Sequence, residues 1–194
     1  MKTIRIKNEQ NIQQIEHTVL VLGYFDGLHK GHQALFAEAR KIAAAKDLKI
    51  AVLTFPESPK LAFVRYQPSL MLHLTSPEER LQQLENLGVD YLYLVDFTSQ
   101  FARNTAEQFF TKYISRLKAK TVIAGFDYHF GSDRRSAEDL EKLFEGQVII
   151  VPSVNFNGVK ISSTRIRETV LAGNVAESNQ LLGYSLSTSG IVVH

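Results

Sequence analysis

Short apolar runs and amphipathic stretches alternate along this chain. Five apolar runs, rich in β-branched, aliphatic or aromatic residues, have the length of buried strands: Val19–Leu22, LKIAVLTF (48–55), YLYLVDF (91–97), TVIAG (121–125) and QVIIV (147–151). TIRIK (3–7) alternates apolar and polar positions and predicts a short edge strand. Between the runs the period changes to that of a helix. From Gly31 to about Lys46, residues Ala34, Leu35, Ala39, Ile42 and Ala43 share one face. Ser76, Pro77 and Glu79 form a capping box with proline at the first helical position, opening a helix through Leu81, Leu84 and Leu87 that Gly88 ends. Asn104 or Thr105, with Glu107 or Gln108, caps a helix whose face is Phe109, Phe110, Tyr113, Ile114 and Leu117; the phenylalanine pair reads as core. A helix from about Ser136 to Phe144 is expected next. After the last run, VNFNGVKI (154–161) reads as a hairpin with Asn157 and Gly158 at its tip, completing the sheet region. ISSTRIRETVLAG then opens a helix that Gly173 terminates, and Asn174 with Glu177 caps one more, ending at LLG (181–183). Strand–helix–strand alternation of this kind predicts an α/β domain, a Rossmann-like doubly wound parallel sheet with ligands outside the carboxyl ends of its strands.

Composition narrows the possibilities. With 194 residues and 44% apolar content the chain buries one sizeable core. The net charge of +2 comes from 22 basic and 20 acidic residues mixed without a polybasic run, which gives no case for nucleic acid as a partner. No apolar run approaches the ~20 residues that span a membrane, and the N-terminus lacks the apolar segment of a signal peptide. A cytoplasmic protein handling small molecules is expected, with no partner protein inferable. There is no cysteine, so disulfides, thiolate catalysis and cysteine-bound zinc are excluded.

The densest chemistry lies in Thr18–His32, TVLVLGYFDGLHKGH. Gly23, Asp26 and Gly27 break the strand in quick succession, so His29 and His32 fall at a helix N-terminus. Backbone N–H groups and the helix dipole make an anion site there, and two imidazoles three residues apart face any phosphate it binds. A histidine pair on its own could equally be capping or solvated. A second stretch, ISSTRIRE (161–168), puts Ser162, Ser163 and Thr164 where hydroxyls and free N–H groups can hold phosphate oxygens. Arg165 and Arg167 can each offer a planar fork, but two residues apart on a helix they face different ways, and the spacing does not choose between them. A third stretch, GFDYHFG (125–131), is bracketed by glycines at the same edge of a parallel sheet. The irregular segment 60–75 is expected to be a mobile or ligand-contacting loop.

GYFDGLHKGH resembles the GxFDGxHxGH signature of the nucleotidyltransferase superfamily, and within it the chain most resembles the adenylyltransferase domain of the bacterial FAD synthetase family, bifunctional riboflavin kinases/FMN adenylyltransferases. ISSTRIR is similar to that family's ISSTxxR pattern and GFDYHFG to its GxDFxFG loop; LTSPEER and LGVDYLYLVDF (74–97) are similar too, so the resemblance covers nearly the whole chain. It implies ATP and FMN as substrates, FAD and pyrophosphate as products, and Mg2+ bound largely through phosphates and water, with no protein ligand assignable. His29, His32 and Arg167 are implied as catalytic. Gly23, Tyr24, Phe25, Asp26, Gly31, Asp127, Ser163 and Thr164 are implied at the nucleotide. Phe55, Phe63, Tyr128 and Phe130 are candidates for the flavin ring, with no basis for choosing among them.

Some segments depart from the family pattern. PESP (56–59) stands where a PHP-type turn is usual, GSDRRS (131–136) has Asp133 and Ser136 where glycines are common, and GYSLSTSG (183–190) lacks the usual arginine and proline. The family's riboflavin kinase domain should begin near Gly190 and run well beyond His194. The expectation is therefore an adenylyltransferase domain over 1–183, a linker and first kinase strand over 184–194, and no kinase activity. Two other readings stay open: a nucleotidyltransferase with another acceptor, and a non-catalytic flavin- or nucleotide-binding regulator, which the altered PESP and GYSL segments would favour.

Overall fold

Strands that read as continuous apolar runs need cover on both faces, and the computed structural model, which describes residues 1–7, 9–12, 16–59 and 72–187, gives them that cover. In chain order the elements are β1 (Lys2–Ile6), β2 (Thr18–Leu22), α1 (Lys30–Lys46), β3 (Lys49–Thr54), α2 (Pro77–Asn86), β4 (Tyr91–Val95), α3 (Ser99–Ala102), α4 (Ala106–Lys112), β5 (Ala119–Gly125), the short pair β6 (His129–Phe130) and β7 (Arg135–Ser136), α5 (Leu140–Leu143), β8 (Gln147–Val151), the hairpin β9 (Asn155–Phe156) and β10 (Val159–Lys160), α6 (Ser163–Leu171) and α7 (Val175–Leu182). Six of the strands form one parallel sheet in the order β1-β4-β3-β2-β5-β8.

Alternate residues of β2 serve opposite cores. Val19 and Val21 pack with Phe36, Ala39 and Leu84 of α1 and α2, while Leu20 and Leu22 pack with Phe101, Phe109 and Tyr113 on the other face. All five β2 residues are buried, which is why the run shows no polar alternation. From β2 the chain winds outward through β3 to β4, then returns to the other side of β2 with β5 and β8. The order thus reverses between β2 and β5, and an open α/β sheet leaves a crevice at the carboxyl ends of the strands at such a point. A third, smaller core of Ile161, Ile166, Leu181 and Leu182 joins α6 to α7. Gln33 ties this unit to the site, donating to Leu28 O at 2.9 Å and Leu182 O at 2.8 Å; the Tyr184 hydroxyl donates to Gly27 O at 2.6 Å.

Caps fall where the residues place them. Ser76–Glu79 and Thr105–Gln108 are complete capping boxes, Asn174 caps α7, and Asn157 (φ 54°) and Gly158 (φ 76°) turn the β9–β10 hairpin. Three expectations need correction. The hairpin is a separate two-stranded unit outside the main sheet, because β8 ends at Val151 and Pro152, which lacks an N–H, leads the chain away from the ladder. The helix expected from Ser136 to Phe144 is a 3-10 turn, Ala137–Asp139, followed by the single turn of α5. The helix over 104–117 breaks at Tyr113 (φ −117°) into α4 and a 3-10 turn, Ile114–Leu117. There Thr111 and Ser115 turn their hydroxyls back onto the carbonyls of Glu107 and Thr111 at 2.9 and 2.7 Å, a contact that bends helices. The loop expected over 60–75 lies outside the described residues up to position 71, as do Phe63 and residues 188–194.

Candidate active site

At the end of β2 the backbone makes a turn in which Phe25 (φ 59°), Gly27 (φ 76°) and Leu28 (φ 34°) all have positive φ. This turn delivers His29 as the N-cap of α1, which begins at Lys30, one residue earlier than the helical pattern read from the sequence. Its Nδ1 accepts the His32 backbone N–H at 3.3 Å, which leaves the ring proton on Nε2. The two imidazoles stack, with centroids 3.8 Å apart and planes at 14°. Gly31 permits this closeness: a Cβ there would lie 3.0 Å from His29 Cε1 and 3.1 Å from its Nδ1. Burial pushes the His29 imidazole down to about 4, and burial together with the neighbouring His29 charge holds His32 well below the usual histidine range. Both rings are therefore neutral at pH 7. The edge of Phe25 meets His32 at 5.2 Å, and His32 Nδ1 is buried with no hydrogen-bond partner among the described residues.

The start of α6 lies across the crevice from this pair. Ser162 is its N-cap, accepting the Arg165 N–H at 3.2 Å, and the Ser163 hydroxyl donates to Asp26 O at 2.9 Å. The two arginines part company here. Arg165 turns away from the cavity, donating to Phe156 O at 3.1 Å, Val159 O at 2.9 Å and Glu177 at 2.9 Å, so it holds the hairpin and α7 to α6. Arg167 turns into the cavity, paired with Asp26 and donating through Nε to Leu72 O at 2.7 Å. Asp26 is buried and its other carboxylate oxygen accepts the Leu74 N–H at 2.9 Å. Thr164 is exposed at the cavity wall.

Beyond β5, Asp127 pairs with Lys160, whose Nζ sits 4.6 Å from the Phe126 ring centroid. Tyr128 and Phe130 stack at 6.1 Å, and Phe55 makes edge contacts with Phe97 and Phe101 at 5.0 and 5.5 Å. Desolvation pushes the Tyr128 hydroxyl far above the usual phenol range. Tyr24 is held by His73, 3.1 Å from its hydroxyl, and by the Arg80 guanidinium over its ring at 5.4 Å; burial pushes it up to about 12. Phe109 is core as expected, and it also borders the cavity.

The imidazole pair, Arg167, Lys160 and the aromatic rings of Phe55, Tyr128 and Phe130 border one cavity of about 1010 Å3, at the top of the roughly 300–1,000 Å3 range of small-molecule sites. Gly23, Tyr24, Phe25, Asp26 and Gly31 reach it from the β2 turn, Ser163, Thr164 and Arg167 from α6, and Asp127 from the β5 loop, while Phe55, Tyr128 and Phe130 form an aromatic side. The sequence reading missed Lys160, Phe97 and Phe101, which border the same cavity. Lys160 had one local signal, its place one residue before the phosphate-type loop. The two phenylalanines had none. Among the described residues no group of three histidines or carboxylates converges as a metal site.

The family model described as FAD synthetase matches residues 11–165. The bifunctional riboflavin kinase/FMN adenylyltransferase of Listeria monocytogenes is 40% identical over 179 residues, covering 91% of this chain and 57% of that protein. Its Bacillus subtilis counterpart is 35% identical over 199 residues, covering 100% and 63%. A FAD synthetase of Listeria monocytogenes is 33% identical over 178 residues, covering 90% and 72%. The chain thus spans less than two thirds of the bifunctional relatives' length. A crystal structure described as a macrolide-efflux protein from Streptococcus pneumoniae is 54% identical and superposes with a TM-score of 0.96 over 100% of this chain and 65% of that one. Among the described residues no helix is long and apolar enough to cross a membrane. A pantoate-beta-alanine ligase from Francisella tularensis, 13% identical with a TM-score of 0.54, covers 94% of this chain and 85% of that one and shares the fold alone.

Proposed function

Since the chain belongs to the FAD synthetase family, we propose that it is an FMN adenylyltransferase, transferring AMP from ATP to FMN and releasing pyrophosphate. The observation that carries this reading is the pair of stacked, neutral imidazoles at the start of α1, set at the sheet's switch point with Arg167 facing the same cavity.

In the proposed reaction an FMN phosphate oxygen attacks the α-phosphorus of ATP in line, and the bond from that phosphorus to the bridging oxygen of the β-phosphate breaks. No covalent enzyme intermediate forms. Such a step asks the protein for position and for donors where charge gathers. His29, with its proton on Nε2, serves as a neutral donor, and His32 stacks against it and holds its orientation through the backbone N–H bond. Ser163, Thr164 and Arg167 hold the pyrophosphate end. Phe55, Tyr128 and Phe130 offer the aromatic side to the flavin ring. When bound, Mg2+ would supply positive charge to the phosphates and would be held largely through phosphate oxygens and water.

Incubation with ATP, Mg2+ and FMN, followed by separation of flavins, tests the reading. FAD and pyrophosphate should appear in equal amounts. No FAD from FMN, with pyrophosphate released on nicotinate mononucleotide, phosphopantetheine or phosphocholine instead, replaces the acceptor; flavin binding without turnover makes the chain a regulator. A developing oxyanion loses on the order of 2.7–4 kcal/mol with one donor, so His29→Ala should lower turnover about 100- to 1000-fold.

A further inference from the structure

Among the described residues two ion pairs border the cavity, and they are set at different depths. Arg167 meets Asp26, whose side chain is 3% exposed and also holds the Leu74 N–H. Removing the guanidinium strands a buried carboxylate, which is strongly unfavourable. Lys160 meets Asp127 in the open, with side chains 40% and 56% exposed, and such a pair is weak because water readily replaces either partner. The backbone of Lys160 is nevertheless well fixed. It ends β10, one residue before the buried Ile161 and two before the α6 N-cap Ser162, and the exposed ring of Phe126 supports its ammonium group.

The local charge balance gives this difference its meaning. Among the described residues the two imidazoles are neutral, each of these cations is matched by a carboxylate, and Glu168 adds a further negative charge at the cavity wall. A nucleoside triphosphate brings several negative charges and needs uncompensated cations to meet them. We propose that Lys160 is the cation the cleft releases to the nucleotide's polyphosphate, and that Asp127 is a placeholder that neutralises Lys160 until the nucleotide arrives. Lys160 leaves Asp127 for the outer phosphates at little cost. Arg167 stays with Asp26 and offers only its remaining N–H groups. The proposal rests on the adenylyltransferase reading for its ligand, a nucleotide polyphosphate; what the geometry adds is which of the two cations is free to meet it.

Calorimetric titration of the full chain with pyrophosphate, and separately with ATP, in the absence of flavin tests it. Lys160→Met should weaken pyrophosphate binding about 10- to 100-fold, the worth of one charge-assisted contact, while Lys160→Arg stays within about threefold. Asp127→Asn should tighten binding about threefold or more, and in the double variant with Lys160→Met that gain should vanish, since Asp127 acts through Lys160. Unchanged affinity in Lys160→Met, weaker binding in Asp127→Asn, or no pyrophosphate binding by the unaltered chain each overturns the proposal. The flavin assay keeps the two readings apart. A chain that makes no FAD yet follows this pattern loses its acceptor and keeps the role of Lys160; one that makes FAD while Lys160→Met binds pyrophosphate normally loses the role of Lys160 alone.

Discussion

Replacing Arg167 should cost stability as well as activity, and a second substitution should restore only the first. In Arg167→Met the Asp26 carboxylate, 3% exposed, keeps the Leu74 N–H at 2.9 Å but loses its counter-charge. Breaking a buried pair from one side costs about 3–5 kcal/mol. The Arg167 side chain is 26% exposed, so water reaches part of the vacated position, which brings the figure to about 2–3 kcal/mol. For a chain of 194 residues that is a fall in Tm of roughly 5–10 °C. Adding Asp26→Asn removes the stranded charge while its carbonyl oxygen still accepts from Leu74, so Tm should return to within about 3 °C of the starting protein. FAD formation should stay down about 100-fold or more in both variants, because the N–H groups that Arg167 offers to the phosphates are gone. The chain has no tryptophan, so far-UV circular dichroism is the natural melting signal, paired with a pyrophosphate-release assay. An unchanged Tm in Arg167→Met, or no recovery in the double variant, would mean that Asp26 does not depend on Arg167.

Gly31→Ala should separate stability from activity in the opposite sense. Alanine favours the helix by roughly 1 kcal/mol, but its Cβ falls 3.0 Å from His29 Cε1 and displaces the stacked ring; Tm should hold or rise while turnover falls about tenfold or more, and normal turnover would deny the stack a role. The buried His29 makes stability depend on pH: its folded value of about 4 lies below the unfolded 6.5, so the unfolded chain binds the extra proton and stability, fully present above pH 6.5, is lost as pH falls toward 4. That amounts to about 3 kcal/mol, read as the change in urea midpoint between pH 7 and 4.5, and His29→Gln should shrink the change; an equal change in that variant refutes the assignment. Arg165→Ala removes contacts to Phe156, Val159 and Glu177, worth about 2 kcal/mol together. It should lower Tm by roughly 4–8 °C and reduce FAD formation less than Arg167→Met does; the reverse order of activities would exchange the two arginines.

What the sequence alone determined is what neighbours along the chain decide. The strands of the sheet followed from apolar runs that need cover on two faces, and two helix starts from Ser76 and Asn174; a third was left between Asn104 and Thr105, and the structure gives it to Thr105, each cap bonding an N–H three residues on. The Asn157–Gly158 turn followed from the positive φ that both positions adopt. The imidazole pair was legible because His29, Gly31 and His32 lie within one turn. Resemblance, and not spacing, preferred Arg167 to Arg165. Tertiary structure supplied the reason: the hairpin, α6 and α7 close around Arg165, and the face of α6 two residues further on is the one turned to Asp26, a residue 141 positions away. Lys160 became visible only when β10 met the β5 loop. The broken helix at Tyr113 depended on hydroxyls competing for carbonyls the period assigns to the helix. Hydrophobic period and capping act over a few residues and can be read in order. Strand order, the pairing of charges across a crevice and the burial that keeps two histidines neutral are properties of contacts between distant segments, and exist only once the sheet has reversed between β2 and β5.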